Sequence, residues 1–311
     1  VVGRKDNPMI NNFEILRQTI FIYLYIFGIA SLLTFICRKT KWGRNMIVAI
    51  LIWFVIFMLF LFGAYAGWIT FSILILLIAY GGVREFYVLN KVYSKATLIS
   101  AMFFLSFMAW AIAIGNIPLF LIAPCLAVFI MFPVQLISSS YENVIKKVSL
   151  QVLGIIYWGW FPLHFLLLRK IEGGFGTIIV LCTMIALNDN SAYYVGKLLG
   201  KNSKKLAPKI SPNKTWAGLL GGFTATILSA MAFGYALPYF SLLQRLSLGL
   251  VTACAIPVGD LIESAMKRDL GVKDSGFLIP GHGGVMDRFD SWVFTAPIVY
   301  YFILLLSKMQ S

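Results

Sequence analysis

Between Asp260 and Asp290 the chain places six of its twelve acidic residues: Asp260, Glu263, Asp269, Asp274, Asp287 and Asp290. Four cations, Lys267, Arg268, Lys273 and Arg288, are interleaved with them around a glycine-rich turn, Pro280-Gly281-His282-Gly283-Gly284. Asp260, Glu263, Ser264 and Lys267 recur at helical spacings of three and four, so one helix face carries two acids, a hydroxyl and an ammonium. Carboxylates from the helices on either side of the turn can meet over it. Hard oxygen ligands in that number suit Mg²⁺, which takes one or two carboxylates together with water and substrate phosphate. The cations suit a triphosphate, whose non-bridging oxygens lysine and arginine neutralise. A loop that only joined two helices would seldom gather so many opposed charges and glycines. His282 reads as part of a tight turn whose backbone N–H groups, at Gly283 and Gly284, face phosphate as in an anion-binding nest, rather than as a general base.

Two further clusters precede this one. The segment Ser211-Pro212-Asn213-Lys214-Thr215-Trp216 closes a loop with six lysines and opens a helix, and Lys214 beside that helix N-terminus would add to the donors available to a phosphate. The other lysines of the loop read mainly as topology. Gly218, Gly221 and Gly222 follow, and close helix packing is their expected role. Upstream, Asn188-Asp189-Asn190 lies late in an apolar run, where a carboxylate is costly and usually faces a cavity, a partner or a cation. Either a helix-to-helix hydrogen bond or a substrate contact would account for Asp189.

The elements that must hold these groups are membrane helices. With 60% hydrophobic and 12% charged residues and a mean hydropathy of +0.86, the 311-residue chain is too apolar for an ordinary soluble protein, in which about 25% of residues are charged. Apolar runs of about 20 residues recur, each long enough to cross a hydrocarbon core about 30 Å thick. Their continuous rather than alternating apolarity predicts helices, not a barrel. The expected class is an all-α polytopic transmembrane bundle of about ten spans, nine if the first is peripheral. They are placed near 15–37, 45–63, 65–83, 97–113, 117–137, 148–168, 175–195, 216–238, 246–263 and 289–308. The first is too long and too late for a cleavable signal and reads as a retained helix. Residues 1–170 look like scaffold and 171–311 like the catalytic region, because polar residues enter the spans only in the latter. Tyr157, Trp158 and Trp160 read as an aromatic belt or helix packing, His164 as a hydrogen-bonded helix contact, and Arg84-Glu85 as a solvated ion pair.

Lys and Arg collect in alternate loops, which puts both termini outside and the 196–215 and 264–288 loops together in the cytoplasm. The net charge of +14 sits at membrane ends, favouring anionic lipid headgroups and a phosphorylated substrate over nucleic acid. The four cysteines, Cys37, Cys125, Cys182 and Cys254, show no metal or disulfide spacing.

The stretch Ser264-Ala265-Met266-Lys267-Arg268, then Lys273-Asp274-Ser275-Gly276, then Pro280 through Asp290, resembles the signature of the phosphatidate cytidylyltransferases, also called CDP-diacylglycerol synthases. The resemblance reaches back through Ser211–Trp216 to Asn188-Asp189, about the last 130 residues, and departs at Ala217, where that family often has Glu. It implies the metal-dependent reaction of CTP with phosphatidate, giving CDP-diacylglycerol and pyrophosphate, in the inner membrane of a bacterium with the site facing the cytoplasm. By motif match Asp260 and Asp287 are the implied metal ligands, Asp290 and Asp189 come second, and Ser264 and Lys267 lie near the phosphates. The resemblance also makes a homodimer an expectation. Rival readings are a CTP-dependent lipid or polyprenol kinase, an ether-lipid counterpart of the same reaction, and a secondary transporter of an anion. Charges clustered at one end of one half favour an interfacial enzyme over the transporter.

Overall fold

The computed structural model describes residues 12–36, 41–138, 142–200, 203–276 and 283–308. Long apolar stretches satisfy their backbone internally, and helices accordingly dominate: α1 (Asn12–Ile36), α2 (Lys41–Ala66), α3 (Trp68–Leu89), α4 (Lys95–Ala113), α5 (Ile117–Leu121), α6 (Ala123–Ser138), α7 (Val144–Gly154), α8 (Phe161–Lys170), α9 (Gly174–Leu199), α10 (Trp216–Ala232), α11 (Leu242–Asp269) and α12 (Met286–Lys308). A π-helical turn, Ile155–Trp160, joins α7 to α8 so that Val144–Lys170 runs as one rod.

Each expected span coincides with helix, but not each is a long one. Among the described residues six helices are long and apolar enough to cross a membrane: Trp68–Leu89, Lys95–Ala113, Val144–Lys170, Gly174–Leu199, Leu242–Asp269 and Met286–Lys308. The segment expected at 117–137 breaks at Ile122: Asn116 caps α5 through Leu119 N, Pro118 occupies its first turn, and α6 starts afresh at Ala123. The one expected at 216–238 stops at Ala232 and ends in a 3₁₀ turn, Gly234–Ala236. The 196–215 loop is likewise more ordered than its lysines suggest. It folds into a two-stranded antiparallel hairpin, β1 (Lys205–Ala207) on β2 (Ser211–Thr215), with Lys205 opposite Thr215.

Four helices frame the polar end. α9 and α10 pack closely where Gly218 and Gly222 face Ala192 and Asn188, with no room for a Cβ, which is the expected role of these glycines. Asn188 Nδ2 donates to Thr226 Oγ1 at 2.8 Å across the same interface. α11 lies against α10 on one side and α12 on the other, and Gly259 brings it onto the α12 backbone at Asp290 and Ser291. Below the site, His164 is fully buried and makes the expected helix contact: its Nδ1 lies 3.1 Å from the Trp160 and Phe161 carbonyls, and its Nε2 lies 3.3 Å from the Tyr301 hydroxyl.

Candidate active site

The face of α11 predicted from spacing exists. Ser264 Oγ donates to Asp260 Oδ1 at 3.4 Å, and Lys267 Nζ lies 2.7 Å from Glu263 Oε2 one turn back. Lys267 also donates to Asp287 Oδ1, at 2.7 Å, in the first turn of α12. The acidic ends of α11 and α12 therefore meet at the same end of the bundle, and a lysine is the group that bridges them. The bridge is nearly dry, with the Lys267 and Asp287 side chains 13% and 9% exposed. An ammonium so enclosed is held by its two carboxylates far more firmly than a surface ion pair would be.

Asp287 accepts four hydrogen bonds. Besides Lys267 on Oδ1, its Oδ2 accepts from Ser275 N, Ser275 Oγ and Gly284 N, each at 2.8 Å. Gly283, at φ +85°, is in the left-handed region that favours glycine, and a Cβ there would run into the Asp287 carboxylate. The turn is thus built around a carboxylate of its own chain. Of the N–H groups expected to face phosphate, that of Gly284 is taken by Asp287, and the next two in the chain are taken by Glu85 on α3. Glu85 Oε1 accepts from Val285 N and Oε2 from Met286 N, both at 2.9 Å, and Ser275 Oγ lies 3.3 Å from Oε2. Glu85 is buried at 7% exposure while Arg84 is exposed, so the solvated Arg84-Glu85 pair expected from sequence is also corrected.

On its other side Asp260 pairs with Lys214 of β2. A cavity of about 560 Å³, within the range of small-molecule sites, opens here between α9, the hairpin, α10 and α11. Asp189, Tyr193, Lys197, Lys214, Thr215 and Asp260 are among its lining residues, so all three sequence clusters converge on one space. The start of α10 does not add donors as expected. Trp216 N donates to Lys204 O at 3.1 Å, Ala217 N to Ser203 Oγ at 3.0 Å and Gly218 N to Thr215 Oγ1 at 3.1 Å, so the cations offered to the cavity are side chains, Lys214 and Lys197.

Asp290, half-buried one turn beyond Asp287, accepts from its own Ser291 N at 2.7 Å and has Asp260, Lys214 and Lys267 as charged neighbours. Arg268 is exposed and ties the hairpin to α11, donating to Ile210 O at 3.1 Å and Val272 O at 3.2 Å. Lys273 is exposed, Arg288 is half-buried directly after Asp287, and His282 lies outside the described residues.

Sequence reasoning missed Glu85, Ser275 as its partner, and Tyr157. The Tyr157 hydroxyl, on the π turn, is buried without a hydrogen-bond partner among the described residues, and Asp290, Glu263 and Asp260 act on it electrostatically. Only the π turn itself, which often marks functional sites, could have signalled it, and a π turn is not legible in sequence.

Among the described residues no three His, Cys, Asp or Glu side chains form a ready-made metal-ligand group. The donor set nevertheless fits Mg²⁺. Asp260 pairs with Lys214, Glu263 and Asp287 pair with Lys267, and Asp189 and Asp290 lie within electrostatic reach of Lys214, so five carboxyl groups share two lysines; both Glu263 oxygens are buried with no hydrogen-bond donor beyond the lysine ion pair. A hard cation using one or two of these carboxylates, with substrate oxygens completing its shell, matches that chemistry.

The sequence profile of the cytidylyltransferase family matches residues 47–306. An uncharacterized protein, YnbB, of Escherichia coli (strain K12) is 40% identical over 164 residues, covering 50% of this chain and 54% of that protein. A phosphatidate cytidylyltransferase of Bacillus subtilis (strain 168) is 40% identical over 166 residues, covering 52% and 60%. Another phosphatidate cytidylyltransferase, of Synechocystis sp., is 34% identical over 270 residues, covering 77% of this chain and 90% of that protein. The chain thus spans little more than half the length of the first two relatives and most of the third.

Proposed function

This chain belongs to the cytidylyltransferase family, and from that premise we propose that it transfers the cytidylyl group of CTP to phosphatidate, releasing pyrophosphate and forming CDP-diacylglycerol. The observation that carries the reading is the cavity bounded by Lys214 and Asp260, two turns along the same α11 face from the Lys267–Asp287 bridge. It offers cations to a triphosphate and carboxylates to a metal at one end of an apolar bundle, where a lipid headgroup can arrive with its acyl chains still in the bilayer.

The chemistry asks little of a general base. A phosphate monoester has a second pKa near 6, so phosphatidate is largely a dianion at neutral pH and already nucleophilic. Its oxygen attacks the α-phosphorus of CTP, and the bond to the bridging oxygen of the leaving pyrophosphate breaks. The obstacle is electrostatic, since two anions must approach. Lys214 and Lys267 lower that barrier by offsetting phosphate charge, with Ser264 holding Asp260. Asp260 and Asp287, with Asp290 and Asp189 nearby, are the residues that would hold Mg²⁺. When bound, Mg²⁺ would neutralise the triphosphate and stabilise the pyrophosphate.

The protein is read as an integral membrane protein of the bacterial inner membrane. The lysine-rich hairpin and the C-terminal end of α11 meet through Ile210 and Arg268, which supports one common, cytoplasmic side for both. Its crossings would number about ten, with the six long apolar helices among them. The test is incubation of purified protein with CTP, phosphatidate and Mg²⁺, following pyrophosphate and lipid product together. Equal amounts of both are expected, and nucleotide-dependent lipid modification without pyrophosphate would contradict the reading.

A further inference from the structure

Glu85 is a buried carboxylate on α3, far in sequence from everything it touches, and the reaction above gives it no task. Its oxygens accept from the Val285 and Met286 N–H groups, which at the start of α12 have no acceptor within their own helix. Such donors are usually capped by a nearby residue of the same chain segment. Here the acceptor stands on another helix, so it fixes where α12 begins relative to α3, and its charge also suits the positive end of the helix.

Glu85 reaches the site through Ser275. The Ser275 hydroxyl lies 3.3 Å from Glu85 Oε2 and 2.8 Å from Asp287 Oδ2, while the Ser275 N–H donates to the same Asp287 oxygen. Ser275 is therefore held between two carboxylates, and one of them carries the Lys267 bridge. The neighbouring sequence is shaped to the Glu85 side chain. A Cβ at Gly276 would come within 3.0 Å of Glu85 Oε1, and one at Gly284 would enter the carboxylate itself.

We propose that Glu85 is a positioning residue for the cytidylyl transfer, setting the start of α12 and, through Ser275, the orientation in which Asp287 holds Lys267. The proposal rests on the reaction assigned above. An apolar residue in its place would leave two buried N–H groups unpaired. Glutamine would keep the shape but turn an amide N–H₂ toward one of them, so the carboxylate, not the bulk, is what the geometry uses.

The test compares the full chain, purified in lipid nanodiscs, as wild type, Glu85→Gln, Glu85→Asp and Gly284→Ala. CTP saturation kinetics and hydrogen exchange of the Val285 and Met286 amides are read on each. For Glu85→Gln, kcat should fall about 10–100-fold, as for other residues that orient a ligand without touching substrate, while KM for CTP holds. The two amides should exchange faster, Glu85→Asp should recover part of the loss, and Gly284→Ala, which pushes against the carboxylate, should reproduce it. Wild-type kcat and unchanged exchange in Glu85→Gln would overturn the proposal, as would equal losses in the Gln and Asp variants. If Glu85→Gln does not fold, a wild-type kcat in Gly284→Ala overturns it. Should the wild type itself fail to consume CTP and phosphatidate, the assigned reaction falls, and the exchange comparison still decides whether Glu85 holds the turn.

Discussion

Asp287→Asn is the substitution whose cost the geometry specifies best. The carboxylate accepts three hydrogen bonds on Oδ2 and one from Lys267 on Oδ1, all between 2.7 and 2.8 Å. The amide can keep the three by turning its oxygen toward Ser275 and Gly284, but its nitrogen then faces an ammonium. That orientation loses one charge-assisted bond, worth roughly 1.5–3 kcal/mol, and weakens the other three to neutral strength. The reverse orientation is worse, since it sets an N–H₂ against three donors. Glu263, only 1% exposed, would be left as the other carboxylate on Lys267, so the lysine would be drawn back along α11 and away from α12. A loss of about 3 kcal/mol or more is the expected sum, close to that for removing one partner of a buried pair. Expressed in the transition state, it is about a 100-fold fall in kcat. The assay is pyrophosphate release at saturating CTP and phosphatidate, normalised to monodisperse protein. An Asn variant that kept more than about a tenth of wild-type kcat would refute the reasoning, because it would put the bridge below 1.4 kcal/mol.

Other substitutions separate the parts of the site. Gly283→Ala combines left-handed backbone strain of about 1–3 kcal/mol with a methyl group driven into Asp287, so stability and kcat should both fall. Gly271→Ala, at φ +68° with open space around it, should lower the thermal midpoint and spare kcat, and equal kinetic losses in the two would contradict the account. Lys214→Met leaves Asp260 without its partner and should lower kcat/KM for CTP by about tenfold or more, whereas a variant at wild-type efficiency would remove Lys214 from the nucleotide site. Chelation with EDTA should abolish turnover without unfolding the protein, since no described cluster depends on a metal for its structure; Mg²⁺ should restore it. His282→Ala should lose much less activity than Asp287→Asn, and equal losses in purified protein would reverse the ordering.

The helices and the acid-bearing face of α11 were legible in the sequence because both are local. A run of apolar residues, or acids at i, i+3 and i+4, states its own geometry. The convergence of Asp189, Lys214 and Asp260 was legible only as three separate anomalies, each a charge where an apolar chain should carry none. Glu85 was not legible, since its partners lie 190 to 201 residues away and a single acid beside an arginine at a helix end looks like surface. The glycines misled for a related reason. Gly283 and Gly284 announce a backbone that approaches something closely, and only coordinates reveal that it approaches the carboxylates of Asp287 and Glu85 rather than a phosphate. The break at Ile122 and the early end of α10 at Ala232 were hidden because hydropathy continues smoothly where the backbone turns.

The measurement that bears most directly on the central claim uses CTP labelled at either its α- or its γ-phosphate, with phosphatidate, Mg²⁺ and the purified chain. The account predicts that α-label enters the lipid while γ-label leaves as pyrophosphate. Entry of γ-label into the lipid, with the α-label remaining in a soluble nucleoside diphosphate, would make the protein a kinase and contradict it.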